Sequence, residues 1–293
     1  MTLVLGVLNV TPDSFSDGGD FAATDVAIAR GFELARLGAD FIDVGGESTR
    51  PGATRVAPDD ELRRVLPVVR ALAEGGIPVS IDTLRARTAE AAVAAGARLV
   101  NDVSGGESDP DMLRVVADSS AEIALGHWRG IPDVAHRRSD YRDVVREVRG
   151  ALALRVAAAR EAGIAAERII VDPGLGFDKT SEQGWALLAR LGELADPGTR
   201  VLVGASRKRM LGELLEALPA AGAAQDHAAA GAHAAAELGP RDRDLATAVV
   251  SALAARAGAW AVRVHDVPGT VQALAVERAW AFAEDRNEPG ERS

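Results

Sequence analysis

The stretch DDELRRVLPVVRALAEGGIPVSID, residues 59–82, contains a helix pattern followed directly by a strand pattern. Its first part repeats apolar side chains at helical spacing, at Leu62, Val65, Leu66, Val69 and Leu72. Aspartates stand before these residues and two glycines stand after them, which is the usual punctuation of a helix. The β-branched run at 77–82 then predicts a strand. The stretch therefore predicts a helix over 59–76 that leads into a strand over 77–82.

The same alternation runs through the whole chain. Strand-like runs occur eight times, at 3–10, 40–46, 77–82, 97–103, 121–127, 168–174, 199–206 and 259–266. Longer segments rich in alanine, leucine and arginine, such as 24–38, separate them and predict helices. Strands that alternate with helices imply a parallel sheet with right-handed crossovers. Eight such units in 293 residues predict an α/β fold, a (β/α)8 TIM barrel that forms a single domain.

A doubly wound open sheet is the competing fold. Such a sheet would carry a G-x-G-x-x-G turn after its first strand in a dinucleotide-binding protein, and this chain has none there. An open sheet would also concentrate polar residues near one switch point, whereas here they follow many strands. Both observations favour the barrel.

Two segments depart from the alternation. Residues 219–240 are an alanine-rich, low-complexity stretch between two prolines, and they predict an insertion. Residues 284–293 are polar and predict a frayed C-terminal tail. We therefore expect a barrel over 1–283 that carries an insertion at 219–240, followed by the tail.

The composition is that of a globular protein, with 47% hydrophobic and 26% charged residues. A net charge of −10 argues against broad nucleic-acid binding, so an anionic substrate would need a local cluster of basic groups. The chain has no cysteine, which excludes disulfides and thiolate metal sites. It has no apolar run long enough for a membrane span and no secretion signal, and a cytoplasmic location is the default expectation.

Polar side chains stand at the carboxyl end of every predicted strand. In a barrel these ends meet at one mouth, where active sites of this fold lie. Taken singly, each could instead cap the following helix. The stretch GGESTRPG follows the second strand, and the other ends supply Asn9, Asp82, Asn101, His127, Asp172, Ser206, Arg207, Lys208, Arg263 and His265.

These residues fall into two chemical groups. Asp82, Asn101, Asp172 and Lys208 could pair with the donor and acceptor edge of a flat heterocycle. The basic residues of the second group suit a phosphate or pyrophosphate, and an asparagine oxygen suits Mg²⁺. That group is Asn9, Thr49, Arg50, Arg263 and His265, although Arg263 and His265 could instead form a surface ion pair with Asp266.

Seven ordered motifs together resemble the dihydropteroate synthase family of pterin-binding enzymes, and its actinobacterial form in particular. They are LNVTPDSFSDGG, DVGGESTRPGA, SIDT, NDVSGG, DPGLGF, LVGASRKR and VRVHDV, and the likeness covers residues 3 to 280. The resemblance implies condensation of 6-hydroxymethyl-7,8-dihydropterin pyrophosphate with p-aminobenzoate, which gives 7,8-dihydropteroate and pyrophosphate in folate biosynthesis. It also implies a homodimer whose interface lies on the late helices.

The resemblance assigns roles residue by residue. The pterin would be held by Asp82, Asn101, Val103, Asp172, Gly204, Lys208 and Arg263. The pyrophosphate would be held by Asn9, Thr49, Arg50, Arg263 and His265, with Asn9 as the ligand of a Mg²⁺ cofactor. The p-aminobenzoate site would be lined by Thr49, Pro51, Phe177, Ser206 and Lys208, and the catalytic residues would be Asp82, Asp172, Lys208 and Arg263.

In the family the loops after the first two strands close over the site and become ordered only with ligands. We therefore expect residues 11–19 to be poorly ordered or displaced in the empty protein. The chain departs from the family pattern at Gly126, where the family usually has a methionine, and this glycine is expected to enlarge or loosen the pterin pocket. Gly184 and Arg209 are further departures, and none of them removes a proposed catalytic residue.

Two other functions remain open from the sequence. Methyltransferases that use methyltetrahydrofolate share the aspartate and asparagine pterin set but would not need the anion-binding residues around Lys208 and His265. A non-catalytic pterin-binding paralogue would be expected to lose parts of the first loop or of the SRK motif, and both are intact here.

Overall fold

The computed structural model describes residues 1–11, 19–47, 56–130, 139–218 and 239–285. Within these residues, eight parallel strands alternate with helices along the chain. Each strand lies inside the run that predicted it. The strands are β1 (Leu3–Asn9), β2 (Phe41–Gly45), β3 (Val79–Asp82), β4 (Leu99–Asp102), β5 (Glu122–Gly126), β6 (Ile169–Asp172), β7 (Arg200–Val203) and β8 (Ala261–Val264).

The sheet is a closed barrel in which neighbours in sequence are also neighbours in space. β8 pairs with β1 in parallel, with Ala261 opposite Leu3, and this pairing closes the ring. The predicted single-domain (β/α)8 barrel is therefore confirmed. The open sheet is excluded, because an open sheet would leave two unpaired edges.

Helices cover the outside of the barrel. They are α1 (Gly19–Arg36), α2 (Pro58–Glu74), α3 (Ala86–Ala94), α4 (Met112–Ala117), α5 (Val144–Glu161), α6 (Ser181–Ala189), α7 (Arg209–Glu216), α8 (Asp244–Arg256) and α9 (Val267–Asp285). The helix predicted from its pattern over 59–76 is α2, which has Pro58 in its first turn and ends before Gly75. Its apolar stripe is buried at Val65, Val69 and Leu72, and this burial holds the helix on the sheet.

The barrel interior changes from apolar to polar toward the carboxyl ends of the strands. Leu99, Ile170 and Ala261 belong to one buried apolar cluster inside the barrel. Side chains of a strand alternate between its two faces, so the residue two positions further on lies on the same inner face. Those residues are Asn101, Asp172 and Arg263. The apolar cluster thus forms the floor of a polar mouth.

The predicted insertion at 219–240 lies outside the described residues except for Gly239 and Pro240. Helix α9 continues to Asp285, two residues past the predicted end of the barrel at 283, and 286–293 lie outside the described residues. In the described part of the chain, no helix is both long enough and apolar enough to cross a membrane.

Candidate active site

Arg263 occupies the centre of the mouth. Its Nε donates to Asp43 and its Nη2 donates to Asp82, so one guanidinium joins β8 to both β2 and β3. Asp43 is fully buried and also accepts from Ser80 Oγ at 2.6 Å and from Asn101 Nδ2 at 3.3 Å. Burial alone would lower the pKa of Arg263, but Asp43 and Asp82 raise it above its ordinary value. The site therefore contains a fixed cation between two carboxylates.

Asp82 has one satisfied and one unsatisfied oxygen. Oδ2 accepts from Arg263, whereas Oδ1 is buried without a hydrogen-bond partner. Burial raises the pKa of the Asp82 carboxyl from 3.8 to about 7, although Arg263 opposes this rise. A buried acceptor without a donor is costly, so Oδ1 marks the place where a ligand would donate an N–H group.

Asp172 and Lys208 meet at the other side of the mouth. Asp172 Oδ1 accepts from the backbone N–H of Gly174 at 2.7 Å, and Lys208 donates to the carbonyl of Leu175. A Cβ built on Gly204 would lie 3.7 Å from Asp172 Oδ2 and 3.9 Å from Lys208 Nζ, so the glycine leaves open space beside both groups. Burial lowers the pKa of Lys208 to about 8 against the attraction of Asp172.

Ser206 and His265 form a hydrogen-bonded pair at the rim. Ser206 Oγ lies 2.9 Å from His265 Nδ1, and the backbone N–H of His265 donates to the same oxygen at 3.1 Å. The alternative that Arg263 and His265 form a surface pair with Asp266 is not observed for Arg263, whose carboxylate partners are Asp43 and Asp82. The strands thus bring Ser206, His265 and Arg263 to one mouth, as expected.

An apolar wall borders the polar cluster. Val103 and Trp128 are buried in one small cluster with Leu84, and Phe177 packs against it. The Phe177 ring also faces the Lys208 ammonium at 5.1 Å. Residues expected at the pterin and arylamine sites, Val103 and Phe177, therefore lie on one continuous surface.

Gly126 does not enlarge the pocket in the way we expected. A Cβ added to this residue would lie 2.5 Å from the backbone of Val103, so the backbone itself fills the space that a side chain would use. The glycine allows β5 to approach the residue that follows β4. Gly184 is less constrained, because a Cβ there would lie 2.9 Å from the sulfur of Met210, which is near the end of a flexible side chain.

His127 is buried against a buried lysine. Lys179 Nζ lies 3.0 Å from His127 Nδ1, and burial together with the Lys179 charge holds the pKa of His127 far below its ordinary value. A neutral imidazole accepts a hydrogen bond from the lysine through Nδ1. The hydrogen-bond partner described for the His127 ring is thus Lys179, and the expectation that His127 faces the mouth stays a prediction.

The surroundings of Asn9 fit a magnesium ion that is held mainly by a substrate. Asn9 Oδ1 lies 3.9 Å from the point where a Cβ on Gly45 would sit, and Asp82 Cβ lies 3.6 Å from that point. Gly45 thus leaves a space between an amide oxygen and a carboxylate, which are the hard ligands that Mg²⁺ prefers. In the described ranges no group of three histidine or carboxylate side chains could hold a metal, so phosphate oxygens would have to complete the coordination.

The structure tests only part of the predicted set. Thr49, Arg50 and Pro51 lie outside the described residues. Residues 12–18 do so as well, and the expectation that 11–19 are poorly ordered or displaced in the empty protein stays a prediction. Sequence reasoning missed Asp43 and Lys179, two buried charged residues that contact predicted site residues or the loop carrying them. For Asp43 a signal existed in the sequence. It lies two residues before Gly45, the last residue of β2, and residues two apart on a strand share one face. For Lys179 no pattern in the sequence distinguished it from an exposed lysine.

Comparisons with known proteins agree with this geometry. The sequence profile described as "Pterin binding enzyme" matches residues 5–265. A dihydropteroate synthase of Mycobacterium leprae is 50% identical over 96% of this chain and 94% of its own length. The structure of Burkholderia cenocepacia dihydropteroate synthase with 7,8-dihydropteroate superposes with a TM-score of 0.83 at 39% identity, covering 98% of this chain and 94% of that chain.

The Xanthomonas albilineans dihydropteroate synthase with 4-aminobenzoic acid gives a TM-score of 0.82 at 42% identity, over 96% of this chain and 93% of that chain. The barrel, its polar mouth and the profile match over most of the chain lead to the same assignment. This chain belongs to the pterin binding enzyme family.

Proposed function

We propose that this chain is a dihydropteroate synthase. It joins 6-hydroxymethyl-7,8-dihydropterin pyrophosphate to p-aminobenzoate, a transferase reaction of folate biosynthesis that releases pyrophosphate. The observation that carries the proposal is the buried cluster of Asp43, Asp82 and Arg263, in which Asp82 Oδ1 has no partner. A relative with 50% identity over 96% of this chain carries this activity by name.

The pterin binds across the strand ends. Its amino and ring N–H groups donate to carboxylate oxygens of Asp82 and Asp172, and Asn101 offers both a donor and an acceptor. Lys208 donates to an acceptor on the ring, and Arg263 stacks on its face. Gly204 carries no side chain, so the flat ring can approach the backbone there, beside Asp172 and Lys208.

The reaction begins when the bond between the exocyclic methylene carbon and the pyrophosphate oxygen breaks. The electron pair leaves with pyrophosphate, and the electron-rich reduced pterin carries the positive charge. Asp82 and Asp172 stabilise that charge, because both carboxylates are held in place before the reaction by Arg263 and by Gly174 N–H. Arg50, Arg263 and His265 receive the leaving group.

The arylamine nitrogen then forms a bond with the methylene carbon and loses a proton. An arylamine is neutral near pH 7, so the step needs no strong general base. Phe177, Ser206, Thr49 and Pro51 line the arylamine site, and the wall of Val103, Trp128 and Phe177 offers the ring an apolar surface.

Mg²⁺ is the proposed cofactor. Asn9 is its protein ligand, and the bound ion would neutralise charge on the pyrophosphate. The role of this chain is to present the Asn9 oxygen at the mouth, beside the space that Gly45 leaves open.

The quaternary state and location are proposals as well. The homodimer is supported by exposed apolar residues on the late helices, including Leu253 on α8 and Val276 on α9. Small molecules are its proposed partners, and nucleic acid and membranes are not. A cytoplasmic location stays a prediction from the sequence.

The function is tested by pyrophosphate release with both substrates and Mg²⁺. We expect release that depends on both substrates and the appearance of 7,8-dihydropteroate. Retained pterin binding without release would instead identify a non-catalytic paralogue. Methyl transfer from methyltetrahydrofolate, measured in the same preparation, would identify the methyltransferase alternative.

A further inference from the structure

Lys179 is among the most deeply buried side chains in the described protein, with a relative exposure of 1%, and the proposed mechanism does not use it. Its ammonium donates to the carbonyls of Gly174 at 3.0 Å and Phe177 at 3.1 Å, and it contacts His127 Nδ1 at 3.0 Å. A buried ammonium is costly, and an apolar side chain would be cheaper in the same space. The cost points to a task that an apolar side chain cannot perform.

The carbonyls that Lys179 holds belong to an unusual turn. Gly174, Gly176 and Asp178 all have left-handed backbone angles, with φ of 65°, 80° and 47°. A Cβ on Gly174 would lie 1.9 Å from the carbonyl oxygen of His127, so the turn presses directly against the residue after β5. Left-handed geometry at a residue other than glycine persists only where the surroundings enforce it. Lys179 supplies part of that restraint through its hydrogen bonds to the carbonyls of Gly174 and Phe177.

The same turn holds two residues of the catalytic set. The Gly174 N–H donates to Asp172 Oδ1 at 2.7 Å, and the Leu175 carbonyl accepts from Lys208. Phe177, at the end of the turn, places its ring 5.1 Å from the Lys208 ammonium. Leu175 and Phe177, which contact Lys208, thus belong to the segment whose two ends, Gly174 and Phe177, are hydrogen-bonded to Lys179.

We propose that Lys179 is a positioning residue that acts on the reaction through the 174–177 turn, by fixing Lys208 and Asp172. Several charged groups act on its ammonium. Asp178 and Asp172 attract it, whereas Lys208 and Arg155 oppose its charge. Tyr141 lies beside it, with its ring centre 6.0 Å from Nζ.

The test is a double-mutant cycle, and it rests on the proposed function. Lys179→Met alone is expected to lower kcat/KM for the pterin substrate by about 100-fold, as expected when a catalytic group is misplaced. In a Lys208→Met background the same change is expected to cost no more than about 10-fold, because one of the two residues that the turn orients is already gone and only Asp172 can still be misplaced. A merely structural lysine would lower kcat/KM by the same factor in both backgrounds.

Asn101→Ala provides the matched control background. Asn101 belongs to the site but bonds to Asp43 on the opposite side of the mouth and not to the turn. The losses from Lys179→Met and Asn101→Ala should therefore multiply. Equal losses in the wild-type and Lys208→Met backgrounds would overturn the proposal, whatever the Asn101→Ala result.

The cycle is repeated on the binding of 7,8-dihydropteroate, measured by calorimetry. Product binding can be measured without turnover. If the wild type proved inactive, the proposed function would fail, and the binding cycle would still test the role of Lys179. If Lys179→Met does not fold, Lys179→Gln keeps a neutral donor in the same place and enters the same comparison. Additive losses for Lys179→Gln and Lys208→Met would also overturn the proposal.

Discussion

The buried carboxyl of Asp82 is central to the proposed reaction, and its burial lowers the stability of the folded protein. The pKa of its carboxyl is about 7 in the folded protein, compared with an ordinary value of 3.8, because burial disfavours the charge. Between those pH values the folded state holds a proton that the unfolded state lacks. The free energy of unfolding therefore falls as the pH rises through this window, and above about pH 7 the full penalty applies.

Asp82→Asn should therefore separate activity from stability. We expect kcat/KM to fall about 100-fold or more, because the carboxylate that faces the developing cation is gone. The wild type loses stability as the pH rises through this window, and the variant does not. The free energy of unfolding of the variant, minus that of wild type, should therefore be larger at about pH 8 than at about pH 4.5, by on the order of 2 to 4 kcal/mol. Urea denaturation at both pH values measures this gain, and parallel pH dependence of the two proteins would contradict it.

Asn9→Ala tests the metal assignment at the level of one side chain. We expect turnover to fall about 10- to 100-fold and to respond less to Mg²⁺, because the amide oxygen that faces the Gly45 space is lost. Pterin binding without Mg²⁺ should be unchanged, since Asn101, Asp172 and Lys208 are untouched. Calorimetry with and without Mg²⁺ is the measurement. An equal loss of pterin affinity without the ion would remove Asn9 from this role.

Residue-level prediction succeeded where chemistry coincided with the end of a strand. Asp82, Asn101 and Asp172 are each at or next to the last residue of a strand, so the barrel hypothesis alone placed them at the mouth. Asp43 lies two residues before the end of β2, and counting along the inner face would have found it. Lys179 could not be found this way, because its burial depends on how the turn after β6 folds back.

At the scale of elements, all eight strands were predictable because each is a β-branched run bounded by helix signals. Most of the predicted runs extended too far at their carboxyl ends, because the polar residues that follow a strand belong to the loops. Gly126 shows a further limit. Its packing against the Val103 backbone depends on the distance between two chain segments, and sequence spacing does not contain that distance.

Arg85 connects helix α2 to the segment after β3 through a buried ion pair. Its guanidinium donates to Glu61 at 2.6 Å and contacts Glu47 at 2.7 Å, and it also donates to the Val56 carbonyl at 2.7 Å. Glu61 has a relative exposure of only 1% and accepts two further hydrogen bonds, from Thr83 and Thr88. Removing the arginine would leave a buried carboxylate without its cation.

Arg85→Ala should therefore reduce the free energy of unfolding by about 3 kcal/mol or more. Arg87→Ala is the matched control, because Arg87 pairs with Asp59 at 2.8 Å while both side chains are at least 70% exposed. The control should change stability by less than about 0.5 kcal/mol. Urea denaturation of the two variants under one condition decides the matter, and similar losses would show that the buried pair is not special.

Across the whole molecule, the charge distribution explains how an acidic protein can bind an anionic substrate. The net charge is −10, yet Arg263, Lys208 and His265 converge on one mouth. Asp43, Asp82 and Asp172 lie beside these basic groups, so an anion would be held by direct contacts with them and not by a net positive field. Buried groups are screened much less than surface charges, which strengthens such contacts. The convergence itself depends on barrel closure, which pairs β8 with β1 and places Arg263 opposite Leu5.

Among the described residues, the late helices carry exposed apolar side chains. Leu245, Val249 and Leu253 recur every fourth residue on α8 with exposures of 79%, 51% and 61%, and Val276 on α9 is 66% exposed. Residues at this spacing share one helix face. A second copy of an acidic chain would be repelled by charge, so burial of this apolar face would have to drive dimerisation.

If the proposed homodimer uses this face, Leu253→Glu should convert it to a monomer, because the substitution places a charge in the apolar face. Leu154→Glu is the matched control, since Leu154 is also exposed, at 74%, but lies on α5 away from this face. Light scattering coupled to size exclusion measures the mass of each variant, and circular dichroism checks that each is folded. A dimer that persists in Leu253→Glu, or a monomeric wild type, would exclude the α8 and α9 face as the interface.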